Sequence, residues 1–393
     1  MKGKLFLRHI GQTSPSPMMI DVERAEDIYL YAPDGTQYID LISGVAVSNV
    51  GHSNKKVIDA VCEQAQKYMH LMVYGEYIQS AQTDFVAKLV EYLPSKIDSV
   101  YLVNSGSEAI EGSMKLAKRA TGRTEIISFK NAYHGSTHGA LSIQGSEDFK
   151  YAFRPLLPDT RLLNYNNFDD LKFITSRTAA VVTEVVQGEA GFIVANKQWI
   201  DALRAKCNEV GALLIFDEVQ TGFGRTGNMF ASETLGVEPD LIAMAKAMGG
   251  GMPLGGFAAS KELMDKLTYN PVLGHITTFG GHPVSCAAAL AAMNFLLDEK
   301  LIEAVDSKSK HFLDRLSKLS AVKEIRSCGL MIAVDLGDSA LRDKAVNILV
   351  SKGILTEGFL FCETAFRIAP PLIITDEQID FICDQIVEVL ENL

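Results

Sequence analysis

From about Val100 the chain repeats one pattern: a short apolar run, often β-branched, followed by a longer stretch with helical spacing. The runs fall at 100–103, 125–129, 180–186, 212–216, 241–245 and 256–259. Strands alternating with crossover helices predict an α/β fold whose mostly parallel sheet is flanked by helices. The run Ala212-Leu-Leu-Ile-Phe216 is apolar throughout rather than alternating, which puts it at the sheet centre with both faces covered. Across 107–119, Ile110, Met114 and Ala117 recur at i, i+4 and i+7 and form one face to pack on the sheet. Glu111, Lys115 and Lys118 then face outward. Pro283 opens an alanine-rich helical stretch to Leu297, and proline suits the first turn of a helix. A strand is expected at 330–336. The first forty residues read as strands and turns, around Tyr29 to Tyr31, Pro33-Asp-Gly-Thr36 and Tyr38 to Leu41, too few for a core of their own. The expected division is therefore a large domain over 44–285 and a smaller α+β domain built from both chain ends, 1–43 and 286–393.

Composition narrows the partners. With 393 residues, 47% hydrophobic and 22% charged, the chain can build a large soluble core. A net charge of -11 repels polyanions, so neither nucleic acid nor an anionic membrane surface is an expected partner, and small solutes are. The six cysteines are scattered without CxxC spacing and read as reduced residues of a cytoplasmic protein. The N-terminal apolar run is too broken for a signal peptide or a membrane span. His134 and His138 have the spacing of a metal-binding helix, but Gly-Ser-Thr between them lacks the glutamate and weakens a helix, so no metal is assigned.

In open α/β sheets ligands sit just past the strand ends. The run at 100–103 leads into Asn104-Ser-Gly-Ser-Glu108 and then a helix. Ser105, Gly106 and Ser107 could cradle a phosphate on free N–H groups at a helix N-terminus, or could form a plain N-cap. The central run ends in Asp217-Glu-Val-Gln220. A carboxylate there needs a positive partner, such as a protonated pyridine nitrogen, unless it only caps a turn. The run at 241–245 closes on Lys246 before the glycine cluster 249–256. A lysine desolvated in this way has a lowered pKa and suits imine formation with a carbonyl; a snorkelling surface lysine is the plain alternative. The cluster lacks the Gly-Lys-Ser/Thr ending of a P-loop. Phosphate cradle, pyridinium partner and imine lysine together are the set that a pyridoxal 5'-phosphate (PLP) site requires.

At this point the sequence resembles the class III aminotransferases of fold type I, over nearly its whole length. The matching segments are Asn104-Ser-Gly-Ser-Glu-Ala109, Tyr133-His-Gly135, Glu184-Val-Val-Gln-Gly-Glu-Ala-Gly191, Asp217-Glu-Val-Gln-Thr-Gly-Phe-Gly-Arg-Thr-Gly227, Ala245-Lys-Ala247 and His275-Ile-Thr-Thr-Phe-Gly-Gly-His-Pro283. The resemblance implies that Ser105, Gly106 and Ser107 hold the cofactor phosphate, with Thr278 completing the site of a partner subunit in a homodimer. It makes Tyr133 the ring-stacking residue and Val219 the contact on the opposite face. Asp217 becomes the partner of the ring nitrogen, Gln220 that of the ring hydroxyl, and His134 and Glu184 further cofactor contacts. Lys246, with Asp217, carries the catalysis: it holds the cofactor, gives way to the substrate amine, and then moves a proton between the substrate carbon and the cofactor.

Substrate contacts implied by the same resemblance are Arg367 for the α-carboxylate of glutamate, Glu189 as its removable cover, and Ser136 and Thr277. The Glu189–Arg367 pair marks the ornithine, acetylornithine and 4-aminobutyrate branch. The expected reaction moves the amino group of an amino-acid or amine donor to a 2-oxo acid acceptor, 2-oxoglutarate first. Two departures stand out. Ser136 occupies the position where that branch carries an arginine for a second carboxylate, leaving Arg154 and Arg161 as the nearest replacements in sequence, and the run Tyr-His-Gly-Ser-Thr is more like pyruvate-using ω-amine transaminases. His282 replaces the usual asparagine before Pro283. The alternatives are such a pyruvate-using enzyme, an aminomutase of the glutamate-semialdehyde type, or a non-catalytic binding protein on the same scaffold.

Overall fold

A computed structural model describes residues 2–393. Its centre is a seven-stranded sheet in the order Ser99–Val103, Gly255–Ala259, Leu241–Met244, Leu213–Asp217, Thr178–Glu184, Glu125–Phe129 and Thr160–Leu163. The strand predicted to be central is the fourth of the seven. Gly255–Ala259 runs antiparallel to both neighbours, a detail that an apolar run of five residues does not reveal. Within the Leu213–Asp217 strand, Leu214 and Phe216 join the core on one face while Ile215 joins the other, so both sides are dry. One of these cores is filled by Trp199, Ile200 and Leu203 of the helix Lys197–Val210, the other by Ile110, Met114 and Ala117 of the helix Gly106–Thr121.

Two expectations change. Glu111 does not point freely outward: its carboxylate accepts hydrogen bonds from Thr137 Oγ1 at 2.7 Å and from the Gly139 and Ala140 N–H groups at 2.8 and 3.2 Å. It fastens the start of the short helix His138–Ser142 to the long one. The first forty residues also hold a helix, Lys2–His9, which buries no side chain and so left no core-facing stripe to detect. Strands at Tyr29–Tyr31 and Gln37–Asp40 are as expected. The latter pairs in parallel with Ile354–Leu355, bringing the two chain ends into one sheet. A second small sheet runs Glu324–Cys328, Met331–Asp335 and Ala365–Ile368, all antiparallel. Pro283 opens the helix Pro283–Asp298, as the sequence predicts. No helix among the described residues is long and apolar enough to cross a membrane.

Candidate active site

The parallel strands of the large sheet end around a cavity of about 460 Å³. Ser105, Gly106, Ser107, Tyr133, His134, Glu184, Glu189, Asp217, Val219, Gln220 and Lys246 all line it, so the sheet collects side chains from five separate stretches of sequence.

Strand register explains the grouping. Asp217 lies beside Glu184 on one neighbour and beside Ala243 on the other, three residues before Lys246. Asp217 Oδ1 accepts from the Val219 N–H at 3.0 Å and Oδ2 from His134 Nδ1 at 2.7 Å. One carboxylate thus caps a turn and also meets a buried imidazole. Glu184 spends its oxygens on two backbone N–H groups, Tyr133 at 3.1 Å and Gly188 at 2.7 Å. Burial raises its pKa to about 7, because the charged form has lost water that these contacts and His134 only partly replace.

Lys246 follows the strand with φ +53°, a left-handed backbone conformation that a lysine adopts only when its surroundings impose it. Burial pushes its pKa below the ordinary lysine range, and among the described residues its amine makes no hydrogen bond or ion pair. An amine of lowered pKa facing a cavity is suited to attack a carbonyl carbon.

On the opposite wall Ser105 caps the helix Gly106–Thr121, its side chain accepting from the Glu108 N–H at 3.2 Å. Ser105 is therefore an N-cap, and the loop it closes, Ser105 to Ser107, lines the cavity at the helix mouth, where an anion is favoured. Gly135 turns with φ +122° directly over this loop, where a Cβ would lie 2.1 Å from Ser107 Oγ, so only glycine lets the Tyr133 loop close down on it. Opposite, a Cβ on Gly188 would come within 2.8 Å of the Gln220 amide.

Arg367, from the strand Ala365–Ile368, reaches toward this site and is covered. Its Nη1 and Nη2 donate to Glu189 at 3.3 and 2.8 Å, with both side chains almost wholly buried. The guanidinium outweighs the cost of burial and holds the Glu189 carboxyl below its usual range.

The other expected contacts are less engaged. Ser136 is exposed and its hydroxyl lies 3.2 Å from that of Tyr133. Thr277 accepts from Asn104 Nδ2 at 3.0 Å, while Thr278 is exposed and outside the cavity lining. The two replacement cations are not in place. Arg154 is engaged by Glu147 on the surface, and Arg161 lies 3.5 Å from Glu125, at the start of its strand and so at the opposite end of the sheet from the cavity.

Several contributors were missed. Val47 and the segment Gly251 to Leu254 also line the cavity, the latter within the glycine cluster, whose run of glycines was the available signal and which turns with positive φ at Gly250 and Gly251. Glu218 is fully buried and receives the Ala231 and Ser232 N–H groups at 3.0 and 2.7 Å, pinning the loop that follows Asp217. Arg225, also fully buried, donates to the carbonyls of Leu330 and Pro370 and to Asn49, tying that loop to the C-terminal part.

A lysine of lowered pKa, the buried Asp217 carboxylate and the mouth of a helix line one cavity, a set that fits the aldehyde, pyridine nitrogen and phosphate of PLP. Comparison with known proteins agrees. Residues 10–390 match the family model described as aminotransferase class-III. The chain is 38% identical over 374 residues to the acetylornithine aminotransferase of Archaeoglobus fulgidus, covering 95% of this chain and 96% of that one. Its fold superposes on ornithine aminotransferase from Toxoplasma gondii, seen with partial occupancy of PLP at the active site, with TM-score 0.90 at 27% identity, covering 98% and 93% of the two chains. It superposes also on an (S)-enantioselective omega-transaminase from Thermomicrobium roseum with TM-score 0.91 at 28% identity, covering 99% and 97%. The chain belongs to the class III aminotransferases, with the fold type I architecture, and is a PLP-dependent enzyme.

Proposed function

We propose that this enzyme takes the amino group from an ω-amino acid of the acetylornithine, ornithine or 4-aminobutyrate type and passes it to a 2-oxo acid, 2-oxoglutarate in the first instance. The observation that carries the reading is the buried Glu189–Arg367 pair at 2.8 Å. Such an enzyme must seat two unlike substrates in turn. Glutamate presents a carboxylate on its reacting carbon, and an ω-amine does not. A cation with its own removable cover serves both, pairing bidentately with the carboxylate when it is present and staying neutralised when it is not.

Bound PLP supplies the electron-withdrawing ring that stabilises the carbanion at the substrate carbon. Gly106 and Ser107 would hold its phosphate, with Ser105 shaping their loop. Tyr133 and Val219 would confine its ring, and Gln220 would meet the ring hydroxyl. Asp217 would supply negative charge to the ring nitrogen, with His134 bonded behind it. Glu184 steadies the Tyr133 backbone through its N–H. Lys246 would hold the cofactor and, as a free amine of lowered pKa, would move the proton at the substrate carbon.

Thr278, exposed in a single chain, completes the neighbouring site in a homodimer on this reading. Support comes from the apolar residues around it: Val272, Ile276 and Phe279 are 71%, 51% and 55% exposed. The division into a domain over 44–285 and one from 1–43 with 286–393, and a cytoplasmic location, complete the proposal.

The test is spectroscopic and then kinetic. Purified enzyme should be yellow, and glutamate should bleach the colour in a single half-reaction. A donor screen against 2-oxoglutarate and pyruvate then identifies the pair. Failure of glutamate to bleach the cofactor while other amines succeed would sink the reading.

A further inference from the structure

We propose that Glu357 is a specificity-determining positioning residue, a standing counter-charge on Arg367 that weakens whichever carboxylate occupies the outer edge of its guanidinium. The inference rests on the reading of Arg367 as the α-carboxylate site.

Arg367 has two edges, differently occupied. Glu189 takes Nη1 and Nη2. On the other edge Glu357 Oε1 lies 3.6 Å from Nε, and the Gly358 carbonyl accepts from Nε at 3.3 Å and from Nη2 at 3.1 Å. The Phe359 ring covers one face, its centroid 4.6 Å from Cζ.

The two carboxylates differ in how they are held. Glu357 belongs to the same hairpin as Arg367: the Arg367 N–H donates to the Glu357 carbonyl at 3.0 Å, Gly358 bridges to Phe366, and Thr356 bonds the Arg367 carbonyl. Glu189 arrives from another part of the chain, past the end of the strand Thr178–Glu184. It is secured to the hairpin by bonds from the Leu360 and Phe361 N–H groups at 3.3 and 2.9 Å. The Glu189 carboxylate can leave Arg367 by giving up the Leu360 bond, whereas Glu357 sits in the hairpin that carries Arg367 and keeps its charge beside it.

One cation then faces two carboxylates in either state, Glu189 with Glu357 or substrate with Glu357. Like charges a few ångströms apart in a partly desolvated site repel, and here the repulsion acts on the replaceable member. Consistent with this crowding, burial raises the pKa of Glu357, and Glu189 and Asp40 add to the rise against the pull of Arg367. Glu357 thereby lowers the resistance to opening the cover and hastens release of the α-carboxylate afterwards.

The relief is shared in wild type, because Glu189 gains from loss of Glu357 as the substrate does. The decisive background is Glu189→Gln. There Glu357→Gln should lower the dissociation constant of glutamate, from half-reaction kinetics of the PLP-loaded enzyme, roughly three- to tenfold, with less change in wild type. The limiting rate for glutamate, and the constant for N-acetylornithine, should stay put. Glu357→Asp keeps the charge and should leave glutamate near its parent value. An unchanged glutamate constant, equal shifts for both donors, or the same fall in the aspartate variant would each overturn the proposal. Arg367→Gln separates the two levels: if it leaves glutamate unaffected, the reading of Arg367 fails, whereas a large loss there with no response at Glu357 removes only this inference.

Discussion

His134 donates its Nδ1–H to Asp217 at 2.7 Å, with both side chains shut away from solvent. Burial opposes charge on the imidazole, yet the bond to Asp217 and its negative charge hold the His134 pKa above the ordinary histidine range. The carboxylate is thus backed by a positively biased neighbour while its strand end points into the cavity. Asp217→Asn keeps the shape and removes the charge. Breaking one partner of a buried ionic pair costs about 3 to 5 kcal/mol, or roughly two to four decades in kcat where the cost falls on the transition state. The His134 pKa should drop in the same variant, as read by imidazole NMR. Wild-type turnover would show that Asp217 only caps the Val219 turn.

Lys246→Ala should abolish turnover while the protein stays folded. The lysine faces a cavity, and its amine makes no bond that folding depends on. Activity and a thermal melt measured on one preparation check both halves. More than trace transamination by the alanine variant would remove Lys246 from its assigned role.

Glu184 gives a pH dependence with a definite sign. Its pKa is raised on folding, from 4.5 to about 7, so its contribution to apoprotein stability is fully present below about 4.5 and is lost as pH rises through about 7. The shift is worth on the order of 3 kcal/mol. Glu184→Gln cannot titrate. Denaturant unfolding of the two apoproteins between these pH values should show wild type losing stability relative to the variant, and parallel curves would refute the assignment.

Glu189→Ala uncovers Arg367. Glutamate should react faster relative to an ω-amino donor, because the arginine no longer exchanges one carboxylate for another. Half-reaction rates for the two donors give the ratio. Equal effects on both would mean that the pair is a structural strut.

Ser136→Arg should move acceptor preference toward 2-oxoglutarate. A charge-assisted arginine pair is worth about 1.5 to 3 kcal/mol against about 1 kcal/mol for a neutral serine bond, so the expected shift in the kcat/KM ratio over pyruvate is about tenfold. Neither Arg154 nor Arg161 is placed to substitute. A wild type that already prefers 2-oxoglutarate strongly, and ignores the new arginine, would strip Ser136 of substrate meaning.

The sequence told more about the floor of the site than about its rim. Asp217 and Lys246 were readable because each ends an apolar run, where an ionisable residue needs a reason to be. Ser105 to Ser107 were readable as a loop feeding a helix. Glu218 and Arg225 were not: each stands among turn residues, and only tertiary closure buries them and supplies their backbone partners. Glu357 likewise looks like a surface charge until a hairpin folds it against Arg367. The reversed direction of Gly255–Ala259 was equally silent, since strand polarity depends on the path of the chain rather than on composition.

The strand Gln37–Asp40 pairs with Ile354–Leu355, and the Ser43 hydroxyl bonds the Ala369 carbonyl, 326 positions away. During synthesis the first strands leave the ribosome long before their partners exist, with Ile28, Ile39 and Leu41 waiting for Ile354, Ile368 and Ile379 of their shared core. Loop closure over such a span is slow, and an unpaired strand edge invites association with other chains. Nascent chains stalled short of Ile354 should therefore demand chaperone protection, and the need should end abruptly once the C-terminal hairpin emerges.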